Sequence, residues 1–285
     1  MKIKKIGVLG VGTMGRGIAQ VAAQAGFDVV MRDIEERFVQ SGLDAIDRFL
    51  IRSVEKQKIS KDEKKSILDR IKGTVSMEEI GTVDFVIEAV LEDLELKKRV
   101  FEELDRLCRP EIILTSNTSS MSITEIASAT SRQERVAGMH FFNPAPLMRL
   151  VEVIRGFQTS DETIETVTQL TKNMGKDPVE VRKDSPGFIV NRVLMPHLIE
   201  AIKLVEEGVA SIEDVDKAVK LGLNYPMGPF ELMDLTGIDI VHDVTQYFFK
   251  ELNKENKWGA PQLLKSMIRA NRFGRKAKAG WYEYE

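Results

Sequence analysis

The residues of this chain that could do acid–base chemistry are few. Only 3 histidines occur. His242 falls within a helical run, and His197 lies one and a half turns past Asn191 on a long helical stretch, so both read as structural. His140 differs. It sits near the end of the apolar run Val136-Ala137-Gly138-Met139-His140-Phe141-Phe142, which Asn143-Pro144-Ala145-Pro146 then breaks. Beyond the break, Leu150-Val151-Glu152-Val153-Ile154 brings a carboxylate that can pair with the second ring nitrogen. Such a carboxylate fixes the tautomer and supports the imidazolium formed after proton uptake. That is the arrangement of a general base working near neutral pH. Ser119 and Asn191 could hold a substrate oxygen, although as isolated polar residues both default to helix caps.

A second kind of chemistry is carried by Gly10-Val11-Gly12-Thr13-Met14-Gly15. Gly10 permits a tight turn, Gly12 lets the backbone approach a pyrophosphate, and Gly15 lets a helix pack close on the preceding strand. Phosphates would then lie at a helix N-terminus, against free N–H groups and the positive end of the dipole. The glycine pattern alone is weak; the strand Ile6–Leu9 before it and the helix after it strengthen it. A further strand, Asp28-Val29-Val30-Met31, leads to Asp33, whose carboxylate can accept from a ribose 2′-hydroxyl and would repel a 2′-phosphate. NAD is therefore the expected cofactor. Arg32 leaves NADP open, the plainer reading being a surface charge at a strand end.

The elements that must position these residues follow from periodicity. Strand signals recur at Gly73-Thr74-Val75, Asp84–Val90, Ile112–Thr115, Val136–Phe142, Leu150–Ile154 and Pro178–Val181, alternating with helical patterns at Leu94–Cys108 and Thr163–Met174. Alternation of this kind predicts a Rossmann-type doubly wound, mostly parallel sheet with ligands at the strand C-terminal ends. Ser122, with Glu125 three residues on, predicts a reciprocal capping box. Between Glu35 and Lys72 the apolar residues Phe38, Leu43, Ile46, Leu50 and Val54, then Ile67, Leu68 and Ile71, predict an inserted helical hairpin. Its lysines (Lys56, Lys58, Lys61, Lys64 and Lys65) form either a solvated face or a track for an anionic ligand. From Ser185-Pro186-Gly187 onward the pattern is helical, over Phe188–Glu207, from Ser211, over Phe230–Leu252 and over Pro261–Ala270. The expected division is 1–184, a dinucleotide-binding domain with the hairpin near 35–72, and 185–285, an all-helical domain.

Composition excludes other classes. A chain of 285 residues suits about two domains of ~150 residues. The formal net charge is −3 with no basic block, which argues against nucleic acid as a partner. The 1 cysteine, Cys108, precludes an internal disulfide and fits a reducing compartment. No charged-then-apolar leader precedes the first strand, and no apolar run approaches the ~18 residues of a membrane span. A cytoplasmic enzyme is expected, with no membrane partner and no metal.

Taken together, the glycine turn, Ser116-Asn117-Thr118-Ser119-Ser120, Met139–Pro146, Leu150–Ile154, Pro186-Gly187-Phe188-Ile189-Val190-Asn191-Arg192, Pro226-Met227-Gly228-Pro229, Gly274-Arg275-Lys276 and Gly280-Trp281-Tyr282 resemble the short-chain 3-hydroxyacyl-CoA dehydrogenases over essentially the whole chain. The resemblance implies reversible oxidation of a short (S)-3-hydroxyacyl-CoA to the 3-ketoacyl-CoA with NAD. It implies His140 as base, Glu152 as its partner, and Ser119 and Asn191 on the substrate near its 3-oxygen. Asp33 would hold the adenine ribose. Glu92, Lys97, Asn117, Ser119, Asn143 and Lys276 would complete the cofactor contacts, beside Gly10, Gly12, Thr13, Met14 and Gly15. Lys56 falls where relatives contact coenzyme A, whereas Phe49 stands where some relatives carry a serine. Members of the family pair as dimers through the helical domain. Alternatives are a dehydrogenase of hydroxy acids lacking CoA, an NADP-preferring form, and a non-catalytic cofactor-binding protein; the intact His140–Glu152 pair argues against the last.

Overall fold

The computed structural model describes residues 2–285, which divide into two compact units on either side of the Ser185–Pro186 bond. The first unit runs β1 (Lys5–Leu9), α1 (Thr13–Gln24), β2 (Asp28–Arg32), α2 (Glu36–Glu55), α3 (Lys61–Asp69), β3 (Ile71–Thr74), α4 (Met77–Ile80), β4 (Phe85–Glu88), α5 (Leu94–Leu107), β5 (Ile113–Ser116), α6 (Ile123–Ala127), β6 (Val136–Phe141), β7 (Leu150–Arg155), α7 (Asp161–Asn173) and β8 (Asp177–Val181). The eight strands form one sheet in the order β3-β2-β1-β4-β5-β6-β7-β8. β1 to β6 are parallel; β7 runs antiparallel to β6, and β8 runs parallel to β7. The doubly wound, mostly parallel sheet expected from the alternation is therefore present. Every residue of β4 is buried, as a central parallel strand covered on both faces requires. Strand order reverses between β1 and β4, the switch point at which such sheets hold ligands beyond their carboxyl ends.

Between β2 and β3 the chain forms α2 and α3. α2 buries Val39, Gly42, Ile46 and Leu50. α3 opens on a capping box in which the Ser60 hydroxyl accepts from Glu63 N and the Glu63 carboxylate accepts from Ser60 N, satisfying two N–H groups that the helix leaves unpaired.

Three local expectations need correction. Ile71, placed in the hairpin's helical pattern, is instead the first residue of β3, because Arg70 ends α3 and its carbonyl already accepts from Val29 in the neighbouring strand. The capping box at Ser122 is only half made. Ser122 Oγ accepts from Glu125 N but donates to Asp184 Oδ2 at 2.6 Å, while the Glu125 carboxylate lies 3.9 Å from Lys98 Nζ. The single helix expected over Phe230–Leu252 is two helices, broken at Gly237 with φ of 108°, a conformation that favours glycine.

The second unit is helical: α8 (Val190–Glu206), α9 (Ile212–Leu223), α10 (Pro229–Thr236), α11 (Ile238–Glu251) and α12 (Gln262–Arg269). They pack around Leu198, Ile202, Phe230, Met233, Phe248 and Leu264. Two buried carboxylates tie it together. Asp216 accepts from Phe230 N, Glu231 N and the Tyr282 hydroxyl, and Asp234 accepts from Trp281 N, Tyr282 N and the Tyr284 hydroxyl. Among the described residues, no helix is long and apolar enough to cross a membrane.

Candidate active site

The carboxyl edge of the first unit's sheet gathers the candidate residues of that unit other than Lys56, which caps α2. At the end of β1, Gly10 adopts φ of 86° and an added Cβ would strike the Ala89 carbonyl; a Cβ on Gly15 would overlap the Gly10 carbonyl. These two glycines are fixed by the turn and by helix-on-strand packing. Gly12 is different: a Cβ there meets no atom within 4 Å. Its lack of a side chain serves the space in front of it rather than the protein's own packing. Gly12 is also the N-cap of α1 and supplies no side chain to its first turn, so the helix presents backbone donors there. Thr13, Met14 and Gly15 follow in that turn.

Asp33 stands just beyond β2. Its Oδ2 accepts from Val11 N at 2.7 Å and its Oδ1 from Ile34 N at 2.7 Å. The carboxylate thus ties the glycine turn to the end of β2, and each oxygen keeps a second lone-pair direction for a ribose hydroxyl. Arg32 Nε donates to the Val75 carbonyl at 3.1 Å, so its guanidinium is held toward the loop after β3. An open glycine cradle, an uncapped helix start and an acidic residue at the end of β2 together fit a dinucleotide without a 2′-phosphate.

His140 and Glu152 are directly opposed in the antiparallel β6–β7 ladder. Both are buried, and His140 Nδ1 lies 2.7 Å from Glu152 Oε2. The Phe142 ring packs on the imidazole with centroids 4.5 Å apart. Next along the chain Asn143 is exposed. The loop behind it is anchored by Lys176, a residue the sequence reading missed. Its ammonium donates to the Ala145 and Met148 carbonyls at 2.6 and 2.8 Å. Burial lowers the pKa of that ammonium below the ordinary lysine value, since desolvation disfavours the charge.

The loop after β5 carries Asn117 and Ser119. Asn117 Oδ1 accepts from the Phe141 backbone N–H at 2.8 Å, and Asn117 N donates to the Glu88 carbonyl at 2.8 Å. Glu92 faces this loop from the segment after β4. Its Oε1 accepts from Thr118 Oγ1 at 2.6 Å, from Ser119 N at 3.0 Å and from Ser119 Oγ at 3.2 Å. Desolvation pushes the Glu92 carboxyl upward, but the Lys97 ammonium and the bonds from Thr118 and Ser119 outweigh it and hold it below its ordinary value. Lys97 itself is 1% exposed and pairs with Glu88 at 2.7 Å and Glu92 at 3.3 Å. Its ammonium therefore points into the protein.

Elsewhere in the first unit, Phe49 on α2 lines a groove with Thr13, Arg16, Arg48, Arg52 and Asn143. Three arginines thus line this groove, and Lys56, exposed, caps α2 one turn past Arg52. In the second unit, Asn191 is the second residue of α8 and Lys276 pairs with Asp239 at 2.5 Å. There too, His197 packs on Tyr225 with ring centroids 5.9 Å apart, and half-buried His242 neighbours Asp243. No group of three or more His, Cys, Asp or Glu side chains that could hold a metal occurs among the described residues.

Known proteins resemble this chain over nearly its whole length. Residues 5–185 match the family model described as the 3-hydroxyacyl-CoA dehydrogenase NAD binding domain, and residues 187–284 match that of the C-terminal domain. The chain is 46% identical over 280 residues to the 3-hydroxybutyryl-CoA dehydrogenase of Clostridioides difficile, covering 98% of this chain and 99% of the relative. It is 42% identical over 291 residues to the mitochondrial hydroxyacyl-coenzyme A dehydrogenase of Sus scrofa, covering 99% and 92%. Among solved structures, it is similar to the (S)-3-hydroxybutyryl-CoA dehydrogenase of Ralstonia eutropha, with a TM-score of 0.97, 44% identity and full coverage of both chains.

Proposed function

The chain belongs to the 3-hydroxyacyl-CoA dehydrogenase family, and from that premise we propose how its residues divide the work of the reaction. It is an NAD-dependent dehydrogenase that oxidises 3-hydroxyacyl-CoA to 3-ketoacyl-CoA. The (S)-3-hydroxybutyryl thioester and its short homologues are the substrates this reading favours. The observation that carries it is the buried 2.7 Å contact between His140 Nδ1 and Glu152 Oε2 at the carboxyl edge of the sheet.

With Nδ1 turned to Glu152, His140 takes the substrate's 3-hydroxyl proton at Nε2. Glu152 orients the ring and stabilises the imidazolium that results. When bound, NAD supplies the acceptor for the hydride that leaves the same carbon. Ser119 hydrogen-bonds the substrate near its 3-oxygen, and Asn191 keeps the role on that oxygen that its place in the family pattern implies. Gly10, Gly12, Thr13, Met14 and Gly15 receive the pyrophosphate, and Asp33 takes the adenine ribose. Glu92, Asn117, Ser119, Asn143 and Lys276 complete the cofactor site. Lys97 belongs to it through Glu92, the direction its buried ammonium supports. The anionic end of coenzyme A lies along α2, where Lys56 and the guanidiniums beside Phe49 suit phosphate groups.

The same reading makes the protein a cytoplasmic homodimer joined through its helical unit. The single cysteine supports a reducing compartment. Exposed Val193, Leu221 and Leu223, at 71%, 76% and 56%, support a covered face on that unit.

The test is NADH oxidation with acetoacetyl-CoA, repeated with NADPH. Rapid loss of NADH, slower loss of NADPH, and no turnover of acetoacetate without coenzyme A are expected. Equal rates with free acetoacetate would point to a hydroxy-acid dehydrogenase instead.

A further inference from the structure

Glu88 is the last residue of β4 and has 0% exposure. Its carboxylate serves two loops at once. Oε1 accepts from Val90 N and from Lys97 Nζ, each at 2.7 Å, on the segment that follows β4. Oε2 accepts from Ser116 Oγ at 2.6 Å, at the end of β5, and Ser116 Oγ accepts in turn from Thr118 N at 3.2 Å. Lys97 also reaches Glu92 at 3.3 Å, and Glu92 holds the N–H and hydroxyl of Ser119. Two chains of bonds therefore leave Glu88 and meet on the Thr118–Ser119 segment, one through Lys97 and Glu92, the other through Ser116.

Stability alone does not account for this arrangement. Replacing buried ions by apolar groups of similar volume is often neutral or stabilising, and Phe85, Val86 and Ile87 show that this strand accepts apolar side chains throughout. Two carboxylates here share one ammonium, which restricts how Glu92 can sit. A fully bonded buried network fixes geometry more tightly than apolar packing does.

We propose that Glu88 is a positioning residue: through Lys97 and Glu92, and through Ser116, it sets the Ser119 hydroxyl where the substrate's 3-oxygen is met. The inference rests on the reading of Ser119 given above. Glu88 touches neither substrate nor cofactor; it acts by holding the group that does.

The experiment is a double-mutant cycle on acetoacetyl-CoA reduction, with Glu88→Gln, Ser119→Ala and the double variant. Glutamine keeps the shape but cannot accept from Lys97 and Ser116 with both terminal atoms. Glu88→Gln is expected to lower kcat on the order of tenfold, within the range of coupled neighbours. The double variant should be no slower than Ser119→Ala, because there is then no hydroxyl left to position. Additive losses overturn the proposal. So does an unchanged rate in Glu88→Gln beside a slowed Ser119→Ala, which leaves the Ser119 reading intact. A silent Ser119→Ala removes both readings together. Ser116→Ala, which breaks only the second chain of bonds, goes through the same cycle in case Glu88→Gln does not fold. There too, loss that vanishes in the Ser119→Ala background supports the proposal, and additivity or no loss overturns it.

Discussion

Asn117 Oδ1 accepts the backbone N–H of Phe141 at 2.8 Å, so the loop that carries Ser119 is tied to the residue directly after His140. Removing that acceptor leaves a part-buried N–H without its protein partner, at a cost of about 1–3 kcal/mol. Asn117→Ala is expected to lose stability in that range in urea unfolding and to lower kcat as well. A stable but slow variant would place the weight of Asn117 on the active site; a fully active one would deny it any part there.

His140 has the geometry of a base and Glu152 that of its orienting partner. His140→Gln keeps a polar side chain but cannot take the proton, and should slow turnover ~10²- to 10⁴-fold. Glu152→Gln should slow it less, because the imidazole remains. Steady-state kinetics with acetoacetyl-CoA and NADH measure both, and a His140→Gln variant as fast as the parent ends this assignment.

Asp33 accepts from the glycine turn through Val11 N, and the proposed function gives it the adenine ribose as well. Asp33→Ala should raise the KM for NAD on the order of tenfold or more, the effect of losing hydrogen bonds to a charged acceptor. The KM for the acyl-CoA should move little. An unchanged KM for NAD would count against the ribose contact.

Two glycines of the turn, Gly12 and Gly15, should separate in a calorimeter. Gly15→Ala drives a Cβ into the Gly10 carbonyl, and such overpacking costs about 1–3 kcal/mol or more. Gly12→Ala meets nothing within 4 Å, so its Tm should stay near that of the parent while NADH affinity, read by fluorescence titration, falls sharply. Retained NADH affinity in folded Gly12→Ala would move the pyrophosphate elsewhere.

Cys108 is buried, and burial pushes its thiol up to about 11, against a smaller opposing pull from Arg132 and Arg109. The folded value lies above the ~8.5 of an unfolded cysteine. The thiol's contribution to stability is therefore complete below that pH and is lost as pH rises toward 11. Iodoacetamide at pH 8 should leave the folded protein unlabelled and label it fully in urea, by mass spectrometry. Stoichiometric labelling of the folded chain would contradict the burial.

Much of the site could be read from sequence because its signals are local. A glycine that needs positive φ, a histidine at a proline-broken strand end and a carboxylate in the next strand announce themselves within a few residues. What escaped reading depends on tertiary pairing. Glu88 falls inside the apolar run Asp84–Val90, and the resemblance points Lys97 toward the cofactor; only the packing of α5 beside β4 shows that the two are paired. The capping box at Ser122 lacks its Glu125 half, whose carboxylate lies toward Lys98 on α5 instead. Gly237 broke a helix whose apolar spacing continues on both sides.

The antiparallel pairing of β6 with β7 has a consequence for engineering. The His140–Glu152 match is set by ladder register, and a slip of one residue would turn Glu152 to the opposite face of the sheet. Variants of the loop that joins the two strands should therefore keep its length and the grip of Lys176 on the Ala145 and Met148 carbonyls, so that the proton-transfer pair stays matched.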